Sequence, residues 1–435
     1  MSSEVQLAGS GARVEQLEWF ELSRAAPEQG FEAVGLRRDL AQLVEERVQP
    51  GSRVGVAVGS RGIARVGDVV AEVVQALQRR GVSAVLIPAM GSHGGATPAG
   101  QRNVLHELGI NEGSLGVPID ASMEVVEVGK LASGKPVYLA HAALACDGVV
   151  LVNRVKPHSD FRAPIESGLT KMLTIGLGKE AGASSLHSAG FEAFSEVLPE
   201  ASRVVLASLW VPFGVALLED AWHRVRRVEV VPGELLLERD QALLLEAWGY
   251  FARLPFEEVD VLILREIGKM ISGAGMDPNV TGRFAGKELP AGIGVGRLAV
   301  LDLTENSGGN AMGVGQADIV TERLRSKIDW TATYANAAAS KSLAGAKLPF
   351  VARSDLEALS LAMFSLTGTN VGALRLVAMA NTLEVNHIAV SKPLVAPAGA
   401  AGYSLVHAHR HAEFNTGGSL LRIGGLEFFA DAETG

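Results

Sequence analysis

The sequence predicts an α/β protein of two domains, each with a mostly parallel sheet. Short apolar, β-branched runs recur and end at glycine, and amphipathic stretches with helical spacing separate them. At 435 residues the chain also exceeds what one typical core holds.

Arg53 to Val58 (RVGVAV) reads as a strand ending at Gly59, and the stretch from Val66 to Arg80 as the helix after it. Ala84 to Pro88 is a second strand, opening into MGSHGG at Met90 to Gly95 before a helix from Pro98 to Leu108. Gly148 to Val152 is a third, opening into Asn153 to Ser159. Alternating strands and helices imply a parallel sheet with ligands beyond the carboxyl ends of its strands. Arg61, His93 and His158 all fall just past such ends.

A second series begins near Phe256. Strands are expected at Val259 to Leu264, Leu298 to Leu303, Leu374 to Met379 and Ile388 to Val390, with a helix at Ala317 to Lys327. A boundary at Leu254 to Glu258, after a Leu-rich helix of residues 233–252, gives domains of residues 1–255 and 256–435. The last ~25 residues are free to return to the first domain, and an active-site cleft is expected between the two.

Bulk properties narrow the function. A net charge of −9 provides no basic footprint for nucleic acid or an anionic membrane, which favours a small-molecule partner. Cys146 is the only cysteine, which excludes an intramolecular disulfide and fits a reducing compartment. The N-terminus lacks the basic start and apolar core of a secretion signal, and Val204 to Leu218 is broken by Pro212 and Gly214, short of the roughly 20 residues of a membrane span. A cytoplasmic location is therefore expected.

The densest chemistry lies between Val155 and Phe191, where His158 precedes Lys171 and His187 follows it in a segment rich in Gly, Ser and Pro. Its IGLGKEAG stretch (Gly176, Gly178, Gly182) is a weak match to a dinucleotide fingerprint, because the third glycine comes one position late and no acidic residue stands where ribose binding needs one. TENSGGNAMGVG, at Thr304 to Gly315, reads equally as an anion-holding loop or a flexible connection. His407, His409 and His411 alternate as metal ligands on a strand would, although Arg410 and Glu413 favour a solvated segment. Lys269 and Arg283 flank the MDPNVTGR turn and could clamp a carboxylate.

These residues resemble the nickel-pincer nucleotide-dependent lactate racemases and their 2-hydroxy-acid racemase and epimerase relatives. The likeness rests on Arg61 in GSRG, the Gly91 to His93 loop, His158 ahead of the lysine, and the interval from Lys171 to His187. It implies that Lys171 carries a covalently bound pyridinium-3,5-bisthiocarboxylic acid mononucleotide with nickel, and that His187 is a nickel ligand. It further implies that His93 and His158 are acid and base for opposite enantiomers and that Arg61 orients the substrate, with Lys269 or Arg283 as carboxylate partners. Cofactor-biosynthesis proteins would be the implied protein partners. The lactate enzymes have Asp-His-Thr-Arg where this chain has Gly59, Ser60 and Gly62 around Arg61, and Gly-Gly-Arg-Lys where it has Gly168, Leu169, Thr170 and Lys171. A 2-hydroxy acid other than lactate is the expected substrate. Two other readings remain open: an NAD-dependent oxidoreductase using GLGKEAG, and a non-enzymatic nickel or nucleotide carrier that needs His187 but neither His93 nor His158.

Overall fold

The computed structural model describes residues 14–27, 33–60, 62–285, 289, 292–340, 342–366 and 371–430. The chain divides into two compact units, one formed by Pro27–Phe251 and the other by Met1–Ala26 with Ala252–Gly435. The first strand, β1 (Trp19–Ser23), thus belongs with the C-terminal half, contrary to a first domain of residues 1–255.

The unit of residues 27–251 is built on β2 (Arg53–Val58), β3 (Ser83–Pro88), the hairpin β4 (Val125–Lys130) and β5 (Pro136–Ala140), β6 (Gly148–Arg154), β7 (Phe213–Glu219) and β8 (Val225–Pro232). Its main sheet has the order β3-β2-β6-β7-β8, parallel except for β8. Alternate residues of β6 face opposite layers: Val150 and Val152 join one core with the helix Val66–Arg79, and Val149 and Leu151 join another with the helix Phe194–Leu206. Burial on both faces explains why these strands are continuous apolar runs with no polar alternation. The predicted strands and helices of this half are present, whereas β7, β8 and the helix Ala33–Arg47 went unread in the sequence.

The second unit holds β9 (Glu258–Ile267), β10 (Gly294–Leu303), β11 (Ile319–Thr321), β12 (Phe350–Ala352), β13 (Leu376–Met379), β14 (His387–Ser391), β15 (Ser404–Arg410), β16 (Glu413–Phe414), β17 (Leu420–Ile423) and β18 (Leu426–Glu427). Its eight-stranded sheet runs β12-β11-β10-β9-β13-β14-β1-β15. The first five are parallel, and β1 lies antiparallel between β14 and β15. Leu420, Ile423, Leu426 and Phe428 pack in one core with Trp19 and Val261, so the last residues described stay with this unit. The expected helix at 317–327 divides into β11 and the helix Glu322–Ser326, because Ile319, Val320 and Thr321 are β-branched and pair with β10 and β12. Among the described residues no helix is long and apolar enough to cross a membrane.

Candidate functional site

Strand order places the site. The chain leaves β2 for β3 on one side and returns to β6 on the other, so the order reverses between β2 and β6. Loops after their carboxyl ends flank the crevice where open α/β sheets bind ligands. Arg61 follows β2 in the sequence and is outside the described residues. Its neighbour Ser60 hydrogen-bonds through Oγ to Nδ1 of His93, joining the loops after β2 and β3.

The glycine at 59 has a packing cause. A β-carbon there would lie 2.4 Å from Oδ1 of Asn153, whose amide donates to the Gly168 carbonyl at 2.8 Å. Gly59 thus leaves room for Asn153 to tie the end of β6 to the segment that carries Lys171.

His158 sits in a loop held by Glu166. The buried Glu166 carboxylate accepts the His158 backbone N–H at 2.6 Å and that of Ala163 at 3.3 Å, while burial pushes its pKa above the ordinary carboxylate value against these bonds. The His158 ring accepts the Asp160 N–H at Nδ1, 3.0 Å away, and its Nε2 lies 2.6 Å from Nζ of Lys171.

Lys171 ends the short helix Leu169–Lys171, which continues into a π-helix, Met172–Gly176, and then the helix Lys179–His187. The Gly- and Ser-rich segment is therefore helical but irregular, and π-turns of this kind are frequent at functional sites. Asp240 fixes its start: the buried carboxylate accepts the N–H groups of Leu169 at 3.1 Å and Thr170 at 2.8 Å. Burial raises the Asp240 pKa, and these hydrogen bonds oppose the rise.

His187, at the far end of this stretch, stacks on Phe194 with centroids 5.5 Å apart and meets Phe191 edge-on at 5.7 Å. The His158 ring lies 4.4 Å from Phe161 and 5.9 Å from Phe191, and Lys171 Nζ lies 5.8 Å from the Phe161 centroid. Phe161, Phe191 and Phe194 thus form one apolar wall shared by His158, Lys171 and His187. The structure brings these three together and links His93 to Ser60, beside Arg61. Sequence reasoning missed Glu166, Asp240, Gln101 and Lys179; the partners of Asp240 and Lys179 are 70 or more residues away, whereas Glu166 bonds within its own loop and Gln101 bonds both to nearby Gly91 and His93 and to distant Lys179.

Lys269 and Arg283 lie in the other unit. Lys269 Nζ donates to Gly273 O at 2.8 Å and Asn336 Oδ1 at 2.6 Å. Arg283 pairs with Asp318 at 2.8 Å and also donates to the carbonyls of Val295 and Gly296. A carboxylate arriving at Arg283 would have to compete with Asp318.

Three other sequence motifs resolve. No strand precedes IGLGKEAG, and its glycines serve close packing, since a β-carbon at Gly176 would lie 2.6 Å from Ala89 O and one at Gly178 2.7 Å from Thr174 O. The dinucleotide context is therefore lacking. In TENSGGNAMGVG the amides of Ser307, Gly308, Asn310, Ala311, Met312, Gly313 and Val314 are bonded within the protein, and the loop leads to a strand, which removes the anion-cradle geometry. On β15, His407 Nδ1 pairs with Glu21 Oε2 at 2.5 Å and His411 Nδ1 faces Leu17 O at 3.2 Å; the His409 side chain lies outside the described residues. Among the described residues, no three His, Cys, Asp or Glu side chains group to hold a metal ion.

Comparison with known proteins adds a likeness over part of the chain. The family model of the lactate racemase N-terminal domain matches residues 40–195, which include Arg61, His93, His158, Lys171 and His187 but not Lys269 or Arg283. Among solved structures, the chain is similar to a protein from Thermotoga maritima (14% identity, TM-score 0.48, 64% of this chain and 72% of that one). It is also similar to the lactate racemase apoprotein from Thermoanaerobacterium thermosaccharolyticum (11% identity, TM-score 0.39, 70% of this chain and 73% of that one). No curated protein matches. The match to the lactate racemase N-terminal domain thus takes in the loops and helices just described, within residues 40–195.

Proposed function

We propose that this protein is an isomerase that inverts C2 of a 2-hydroxy acid other than lactate, with a nickel-pincer nucleotide attached to Lys171. The observation that carries the reading is the contact of Lys171 Nζ with His158 Nε2, on the aromatic wall that also holds His187. The two nitrogens lie within hydrogen-bonding distance, so the imidazole is placed to exchange a proton with the amine. An uncharged amine is the form that is acylated, and a ring at this distance can take the proton it sheds.

The residues fit such a group. Lys171 offers the point of attachment, and Phe161, Phe191 and Phe194 offer an apolar surface beside it. His187 offers one imidazole, which suits nickel when soft sulfur donors complete the set. When bound, the nucleotide supplies the hydride acceptor for C2. One of His158 and His93, neutral, takes the hydroxyl proton of one enantiomer, and the other, protonated, gives its own proton to the oxygen as the opposite enantiomer forms; the roles exchange in the reverse direction, as imidazoles can near neutral pH. Arg61, next in sequence to the Ser60 that bonds His93, orients the substrate.

Intact-mass analysis tests this directly. Protein made together with the cofactor-building enzymes carries an adduct that Lys171→Ala lacks; equal, unmodified masses for both under those conditions sink the proposal.

A further inference from the structure

Lys179 is fully buried, and the reaction above gives it no part. It opens the helix Lys179–His187 with φ at 54°, in the left-handed region that a side chain disfavours. Its Nζ donates to Pro88 O at 2.7 Å, at the end of β3, and to Oε1 of Gln101 at 3.0 Å. Gln101 is buried as well, and its Nε2 donates to the carbonyls of Gly91 at 2.9 Å and His93 at 3.3 Å. The Gly91 N–H in turn donates to Gly176 O at 3.1 Å, in the π-helix. The amide of Gln101 is thus oriented by a donor on one side and two acceptors on the other.

We propose that Lys179 is a positioning residue which, through Gln101, fixes the backbone at Gly91 and His93 against the helical segment running from Lys171 to His187, and so sets the place of the His93 imidazole. The inference rests on the reading of His93 as a proton shuttle. Burial, opposed by the charge of Asp120, lowers the Lys179 pKa to about 8.

The test has two arms. In the full-length apoprotein, Lys179→Met raises amide hydrogen exchange at Gly91 and His93 by about tenfold, the effect of one lost buried hydrogen bond, and leaves β2 and β6 unchanged. In holoenzyme, single-turnover oxidation of each enantiomer shows Lys179→Met reproducing the one-sided loss of His93→Gln. Unchanged exchange at those two amides, or equal loss for both enantiomers, overturns the proposal. Gln101→Leu keeps the lysine and removes only the link; it gives the same two changes if positioning runs through the amide, and leaves both unmoved if it does not. Should His93→Gln slow both enantiomers alike, the role given to His93 falls, and exchange at Gly91 and His93 still decides for or against the strut.

Discussion

Nζ of Lys171 lies 2.6 Å from Nε2 of His158, while the other nitrogen of that ring faces the Asp160 N–H at 3.0 Å. The ring therefore lies where it can take the proton that the amine sheds on acylation. Replacing His158 with Gln should slow carbamylation of Lys171 by cyanate at neutral pH by about tenfold, the equivalent of one hydrogen bond to the amine. Peptide mass spectrometry reads the rate, and equal rates would remove His158 from this role.

Asp240 anchors the turn that presents Lys171. Asp240→Asn places an N–H donor opposite one of the two backbone donors it now accepts, so a loss of about 1–2 kcal/mol is expected in urea unfolding. A variant as stable as the wild type would show that the turn does not depend on this carboxylate.

Lys179 makes stability depend on alkaline pH. Its pKa is about 8 in the folded chain against 10.5 for a free lysine, so between these values the unfolded chain holds a proton that the folded one has lost. Wild-type stability, measured relative to Lys179→Met, should be flat below pH 8 and rise by about 1.4 kcal/mol per pH unit up to 10.5. A difference that stays constant across this range would contradict the burial of the amine.

Glu21 gives the opposite sign. Burial alone would raise its pKa, but hydrogen bonds from His407 and His387 more than offset this and hold it below 4.5. The stabilisation is complete above pH 4.5 and is lost as pH falls through the lowered folded value. Glu21→Gln should cost about 1–2 kcal/mol at neutral pH, near the low end because both imidazoles are half exposed, and nothing in strong acid. Thermal melting across the acid range reads the difference.

The sequence makes the strands that carry Arg61, His93 and His158 legible because each is a β-branched run that stops where polar and glycine residues begin, a signal local to a few residues. Lys171 and His187 are singled out by an interval that only the family resemblance gives meaning to, and the structure sets both beside the same group of phenylalanines. The supports are not legible: Asp240 reaches Leu169 across 71 residues, and Lys179 reaches Pro88 across 91, so neither pattern nor spacing announces them. Gln101 looks like an ordinary helix residue until its burial is seen. The place of β1 is hidden for the same reason, since Trp19 pairs with Ser391 and Arg410.

That pairing has a consequence for how the molecule comes into being. Residues 27–251 are an insertion into the other unit, between β1 and the remainder of its sheet. On the ribosome, β1 is made early and finds its partners only after β14 and β15 emerge, whereas the inserted unit with Lys171 already has all of its strands. The unit that carries Lys171 can thus be complete before β1, the first strand among the described residues, has a place to go.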